Sequence, residues 1–336
     1  MAYVVRSVRG PDEELPDLPI REHKKRNAPR TMPKPPFLCG MFGSRGAGKT
    51  TLLIKLIRWY DSVKAFDKVI VFSPTHQKDP KWEALQRSGM FAKLELYAHF
   101  SFEKFAEIQR EQEELLTRYE RYLFATEAYQ RFAKTKGDLS KVTEDELLML
   151  YEYDFMDPRL STEFANGRPS IMLAFDDHVG NKDVYRGDCK GPVAQFSLLH
   201  RHYNTSICFM AQVYKSGIPN GIRNNLSLAI FFANKSKQMK WEVANDTSSF
   251  VEPEQFMDMW TYATESEDHA CFMVTFDAER PEWRFRKNFN VLLMPDYQDY
   301  YNQETEKIPE ESKKRRRGGD NEDDASDLEK GPSMKK

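Results

Sequence analysis

No apolar run in the sequence reaches the length of a bilayer span, and the opening Met1-Ala2-Tyr3 does not read as a secretory leader. A protein without a membrane span is therefore expected. The four cysteines, Cys39, Cys189, Cys208 and Cys271, stand far apart with no paired spacing, which argues against a disulfide framework and against a zinc site. Cys39, Cys208 and Cys271 sit in apolar, strand-like runs and read as buried thiols in a reducing compartment. His200 and His202 have no carboxylate or cysteine at ligand spacing, so they read as loop or core histidines. Net charge is missing too. At −2 the chain has no global field to attract a polyanion, and any nucleic-acid contact needs a local basic face. A guanine-specific switch would carry Asn-Lys-x-Asp after a late strand. Asn234-Lys235-Ser236-Lys237 instead has lysine where the base-reading carboxylate belongs. The arginine-lined lid of a small-molecule phosphotransferase is not evident either.

What is present is a chain of 336 residues, 40% hydrophobic and 30% charged, with room for one large domain or two small ones and a surface rich in charge. Seven of the 18 prolines precede Phe37, together with Lys24-Lys25-Arg26, so residues 1–36 are expected to form an extended arm leading into the first strand. Residues 303–336 are almost purely Glu, Asp, Lys and Arg and are expected to be a disordered tail. The run Lys313-Lys314-Arg315-Arg316-Arg317 within it reads either as a nuclear-import or nucleic-acid segment or as solvated tail.

Between the tails, residues 37–302 alternate short apolar runs with helical stretches. This is the signature of an α/β fold with a mainly parallel central sheet flanked by helices. The strands are Phe37 to Phe42, Val69 to Phe72, Ile171 to Phe175, Ser206 to Ala211 and Leu228 to Phe232. A C-terminal β-hairpin pairs Cys271 to Phe276 with Trp283 to Arg286. A helical insertion over about 103–158 interrupts the rhythm. Phe105, Ile108, Leu115, Tyr119, Tyr122 and Tyr129 fall on one heptad seam with Gln112 and Thr126, which predicts a long amphipathic helix packed on its own domain in preference to a second subunit.

Gly43-Ser44-Arg45-Gly46-Ala47-Gly48-Lys49-Thr50 matches G-x-x-x-x-G-K-[ST] at every position, follows an apolar strand and opens an amphipathic helix. The chain must turn sharply from strand to helix while its N–H groups converge on phosphate oxygens, and glycine permits both the backbone angles and the close approach. Lys49 is expected to reach the β- and γ-phosphates of ATP, the Thr50 hydroxyl to ligate Mg2+, and Thr51 to join the nucleotide contacts at the helix N-terminus. The strand Ile171 to Phe175 ends in Asp176-Asp177, at the edge where doubly wound sheets bind ligands. Asp176 is expected to hold the magnesium and Asp177 to orient the attacking water or accept its proton. Gln212, after the fourth strand, reads as a γ-phosphate sensor or as a turn residue. Arg201 and Arg223 each read as a finger toward the γ-phosphate, in this or a neighbouring subunit, or as an ordinary surface arginine. The segment Gly180 to Gly191, with Lys182, Arg186 and Lys190, is the candidate DNA-contacting loop.

The phosphate loop, the insertion, Leu-Ala-Phe-Asp-Asp, Leu199-His-Arg-His-Tyr-Asn-Thr-Ser206 and Ile218-Pro-Asn-Gly-Ile-Arg-Asn-Asn225 together resemble the poxvirus-type DNA-packaging ATPases, the viral branch of the FtsK/HerA motor superfamily. The resemblance runs from Phe37 to Leu293. It implies an ATP hydrolase that pushes double-stranded DNA into a preformed capsid as a homo-oligomeric ring, with capsid portal or vertex proteins as partners. It implies an infected host cell, nucleus or cytoplasm, or the virion as its place, and matches Gln212 to the family's polar sensor. Against it stand a helicase or recombination ATPase of the same class, which would displace strands without any capsid, and a slow regulatory nucleotide switch, which long duplex DNA would not stimulate.

Overall fold

In the computed structural model, residues 26–88, 93–176, 191–247, 250–265 and 267–295 are described. Those from 26 to 293 belong to one compact unit, Ile20–Leu293. Both charged tails, Lys24 and Lys25, Asp177, Cys189 and nearly all of the Gly180 to Gly191 segment lie outside the described residues.

The elements follow one another as β1 (Leu38–Phe42), α1 (Lys49–Ser62), β2 (Lys68–Phe72), α2 (Pro80–Arg87), β3 (Leu94–Tyr97), α3 (Phe102–Lys134), α4 (Glu144–Glu152), β4 (Ile171–Phe175) and α5 (Pro192–Leu199). Then come β5 (Thr205–Ala211), α6 (Tyr214–Gly217), α7 (Asn220–Arg223), β6 (Leu228–Phe232), α8 (Lys237–Asp246), α9 (Pro253–Glu265), β7 (Cys271–Thr275), β8 (Phe285–Lys287) and β9 (Val291–Leu292). The strands form one sheet in the order β3-β2-β4-β5-β1-β6-β7-β8-β9. From β3 to β6 neighbours are parallel, and from β6 onward they are antiparallel.

The central strands are buried throughout, and their side chains alternate between two cores. Leu38, Phe72, Phe175 and Phe209 face one side, with Phe105 and Ile108 of α3, Phe196 of α5 and Trp260 of α9. Cys39, Met41, Val71, Ala174 and Met210 face the other, with Leu53, Leu56, Ile57 and Tyr60 of α1 and Trp82 of α2. Phe72, Phe175 and Phe209 occupy one register row across β2, β4 and β5 and stack at centroid distances of 5.3 and 5.4 Å. That row sets the depth to which the three strand tips project.

Three expectations need correction. The helical insertion is two helices. α3 ends at Lys134 because Lys136 takes a left-handed backbone and the Gly137 N–H donates to Phe132 O, closing the last turn. A Thr143–Glu146 capping box then starts α4. Ion pairs Arg131–Glu146 and Arg121–Glu152 show that α4 runs back antiparallel along α3. Second, the buried stripe of α3 drifts off the heptad seam. Phe105, Ile108, Gln112, Leu116, Tyr119, Ala125 and Ala128 are buried, whereas Leu115, Tyr122 and Tyr129 are only half-buried. A straight helix has 3.6 residues per turn and repeats its face at eleven residues better than at seven. Third, the hairpin's second strand begins at Phe285. Pro281–Trp283 is a 3-10 turn, since Pro281 has no N–H to give a ladder.

β3 escaped the sequence reading. Leu94-Glu95-Leu96-Tyr97 is a half-buried edge strand with no apolar run to announce it. The N-terminal arm, from Arg26 on, packs against the domain. Arg26 pairs with Asp67 at 2.5 Å, Met32 enters a core cluster, and the Tyr60 hydroxyl donates to Pro33 O at 2.7 Å. Arg286, fully buried in β8, donates to the hydroxyls of Thr31 and Thr275. Cys39, Cys208 and Cys271 are free, buried thiols. No helix among the described residues is long and apolar enough to cross a membrane.

His200 closes α5 as a core histidine. Its Nδ1 donates to Ser197 O at 2.7 Å, since a carbonyl only accepts, and its buried Nε2 has no hydrogen-bond partner among the described residues. Burial pushes its pKa down to about 4, with the charges of Arg201 and His202 adding to the effect. The unfolded chain binds this proton near pH 6.5 and the folded chain only near 4, so the stabilisation is complete above about pH 6.5 and is lost as pH falls toward about 4. We expect His200→Gln to flatten the stability profile in that window by about 3 kcal/mol relative to wild type, measured by denaturant titration at stepped pH.

Candidate nucleotide-binding site

The C-terminal ends of β1, β4 and β5 open on one edge of the sheet. β5 lies between the other two, so the β1 and β4 tips are two strand spacings, about 10 Å, apart. The phosphate-loop octet fills this edge after β1. The Gly43 N–H donates to Ala211 O at 3.1 Å, and an added Cβ there would stand 2.8 Å from Phe232 Cβ, so only glycine lets the loop leave the strand this closely. Gly48 has φ +103 and is the residue from which α1 springs. A Cβ on Gly48 would also crowd the His269 side chain at 3.3 Å. α1 has no acidic residue in its first turn, leaving its N-terminal amides a favourable end for an anion.

The Lys49 ammonium donates to Gly43 O at 2.6 Å and to Ser44 O at 3.0 Å, folded over the loop that a phosphate would fill. The Thr50 hydroxyl donates to Asp176, 3.2 Å from Oδ2. Asp176 is 3% exposed, which would be costly for a carboxylate without hydrogen-bond donors. Ser73, directly after β2, supplies a further one, its hydroxyl donating to Asp176 Oδ2 at 3.0 Å. The fit to magnesium is good on these observations. Two hard oxygens 3.2 Å apart match the edge of an octahedron with bonds of roughly 2.1 Å, an edge of about 3.0 Å. Among the described residues no three His, Cys, Asp or Glu side chains gather into a metal cage, and magnesium held through one carboxylate, one hydroxyl and substrate phosphates needs none.

A cleft of about 540 Å³ joins these groups; Arg45, Gly46, Gly48, Lys49, Thr50, Thr51, Asp176 and Gln212 all line it. Ser44 and Ala47 border a smaller cavity on the loop's other side. Two expected site residues lie elsewhere. Arg201 precedes β5, so the seven residues of that strand, roughly 23 Å, separate it from Gln212. It borders a different cavity, with Arg168, Asn204 and the arm. Arg223 is engaged in fastening the α6–α7 turn, donating to Lys215 O at 2.6 Å, Ile218 O at 2.9 Å and Asn220 Oδ1 at 3.2 Å, with its guanidinium over the Tyr214 ring. Neither arginine lines the cleft of its own chain.

The sequence reading missed Ser73, although it ends an uninterrupted apolar strand just as Asp176 does, which is a usable signal. It also missed Thr75 and Asp79 on the loop after Ser73, Lys81 in the first turn of α2, and Glu267, Asp268, His269, Asn288 and Phe289 from the antiparallel part of the sheet. No spacing or motif marks that second group.

No family model matches the chain, and no curated protein matches its sequence. Among solved structures it is similar to the genome packaging NTPase B204 from Sulfolobus turreted icosahedral virus 2 in complex with AMP. That match has 10% identity and a TM-score of 0.42, covering 76% of this chain and 97% of the other. It is also similar to EssC, ATPases 2 and 3, from Geobacillus thermodenitrificans, at 16% identity over 87% of this chain and 51% of that one, with a TM-score of 0.41. The pCW3 conjugation coupling protein TcpA, in monomer form with ATPγS, gives 9% identity, 84% and 65% coverage and a TM-score of 0.35. Likeness this distant leaves the function of this chain to be read from its own residues.

Lys49→Ala should abolish ATP turnover with a melting temperature close to wild type; unchanged turnover would show that the cleft is not the catalytic site. Ser73→Ala removes a donor from a buried carboxylate and should destabilise the fold by about 1–3 kcal/mol, with a raised magnesium requirement for activity, read from denaturation and from turnover against magnesium concentration.

Proposed function

We propose that this chain is an ATP-hydrolysing motor that moves double-stranded DNA into a viral capsid, working as a homo-oligomeric ring of the poxvirus-type packaging ATPases in an infected cell. The observation that carries the hydrolase part is the meeting of Lys49, Thr50, Asp176 and Gln212 in one cleft, with β5 interposed between the loop strand and the acidic strand.

The chemistry follows from that placement. As a triphosphate enters, its oxygens take over from Gly43 O and Ser44 O as acceptors for the Lys49 ammonium, and the helix N-terminus and loop amides complete the grip. Thr50 and Asp176 would hold magnesium, which when bound neutralises charge on the β- and γ-phosphate oxygens. Gln212, directly after β5 and lining the same cleft, would align a water with the γ-phosphate or sense its loss. Asp177, next after Asp176 in the chain, takes the role of base. Gln212 also begins the segment that runs through α6 and α7 to β6, so a change at the γ-phosphate has a short covalent route to the surface beyond. Arg201 and Arg223 both lie outside their own chain's cleft, so either would neutralise the leaving charge only in a neighbouring subunit's site. The support for DNA as cargo is the resemblance carried by Leu199 to Ser206, Gln212 and Ile218 to Asn225.

Long duplex DNA should raise the ATPase rate severalfold. The stimulation should fall steeply between 50 and 200 mM salt, as expected for phosphate contacts. The active particle should have the mass of a closed ring. A monomer whose turnover ignores duplex DNA would sink the motor reading while leaving the hydrolase intact.

A further inference from the structure

The cleft is longer than the phosphate machinery needs. The acidic tip lies toward β4, so the γ-phosphate end points that way. The cleft continues past Thr51, Leu52 and Lys55 in the opposite direction, to residues that precede β7 and follow β8. Both sets are on the same sheet edge because β7 runs antiparallel to β6, and its start therefore lies where the parallel strands end. From β1 to β8 is three strand spacings, about 14 Å along the edge.

At that far end stand Asn288 and Phe289. The Phe289 ring is set edge-to-face on Trp59 of α1, with centroids 4.9 Å apart and planes at 73°, and it stays half-buried at the cleft wall. Asn288 is pinned at both backbone and side chain: its N–H donates to Cys271 O at 2.8 Å, and its Oδ1 accepts the Cys271 N–H at 3.1 Å. That fixes the amide's orientation and leaves its NH2, which has no protein partner among the described residues, as the group it presents. Charges of both signs line the cleft, Arg45, Lys49, Lys55 and Lys81 against Asp79, Asp176, Glu267 and Asp268, with Glu267 held by Lys287 at 2.8 Å. The base end is therefore marked by Phe289 and Asn288 and not by charge.

We infer that Phe289 and Asn288 form the base end of the nucleotide site, stacking a purine on Phe289 and giving it one hydrogen bond from Asn288 Nδ2. The inference rests on the phosphate-loop reading and adds to it what the site asks of the base. Adenine and guanine both offer N7 as an acceptor and a comparable stacking face, and Asn288 Oδ1 already accepts from the Cys271 N–H and, at 3.7 Å, from its thiol, which leaves the amide little means to separate the bases by their exocyclic groups. The site therefore takes ATP and GTP with affinities within about tenfold of each other.

The test is direct binding of ATP, GTP and inorganic tripolyphosphate, each with magnesium, to wild type, Phe289→Ala and Phe289→Tyr. Phe289→Ala is expected to weaken ATP and GTP about tenfold, the scale of one base–aromatic stack, and to leave tripolyphosphate within twofold. Phe289→Tyr is expected to restore both nucleotides. ATP affinity unchanged in Phe289→Ala, a parallel loss of tripolyphosphate, or a wild-type preference for ATP beyond a hundredfold overturns the base site while the phosphate loop stands. A wild-type protein that binds neither ATP nor tripolyphosphate overturns the phosphate-loop reading, and the base site falls with it.

Discussion

Everything at the site depends on the parallel ladder that holds β1, β5 and β4 side by side. Strand spacing is a fixed backbone quantity, so interposing β5 sets the loop and the carboxylate strand about 10 Å apart with one polar tip between them. The side chains then close the gap. Thr50, one residue into α1, reaches across to Asp176, and Ser73 reaches the same carboxylate from β2. A slip of one residue in any of these strands would turn its tip to the other face. The stacked phenylalanines Phe72, Phe175 and Phe209 resist such a slip, because each fills a neighbour's row.

The two halves of the sheet have different roles. The parallel half presents strand ends to one edge and carries the phosphate-facing groups. The antiparallel half returns its strands to that same edge and so brings His269, Asn288 and Phe289 within the one cleft. Arg286 and Asn288 show how tightly this half is anchored: one ties β8 to Thr31 of the arm and to β7, the other clasps the first residue of β7. From Arg26 on, the arm expected to run extended into the first strand is packed against the domain as a strap.

How much was legible in advance varies with the physical origin of each feature. The phosphate loop was legible because its backbone angles and close approaches admit few residue types, as Gly43 and Gly48 show. The mainly parallel sheet was legible because strands buried on both faces must be apolar throughout. The edge strand β3 was not, since a half-buried strand carries no such run. The α3 seam misled because a heptad and a 3.6-residue helix part company by about 20° per repeat, enough over about three turns from Phe105 to replace Leu115 with Leu116. The break before α4 had its own signals in Gly137 and the Thr143–Glu146 box, which the apolar periodicity overshadowed.

The sequence by itself determined the local chemistry: a glycine-rich turn ahead of Lys49 and Thr50, a carboxylate after β4, a glutamine after β5. Each depends only on neighbours along the chain. Which groups share one cleft was decided by the tertiary fold alone. Strand order brought Ser73 to Asp176, the antiparallel return brought Asn288 and Phe289 to the phosphate loop, and the length of β5 carried Arg201 to the opposite edge. Such meetings arise from sheet packing between residues far apart in the chain, 239 positions for Thr50 and Phe289, and no spacing in the chain encodes them.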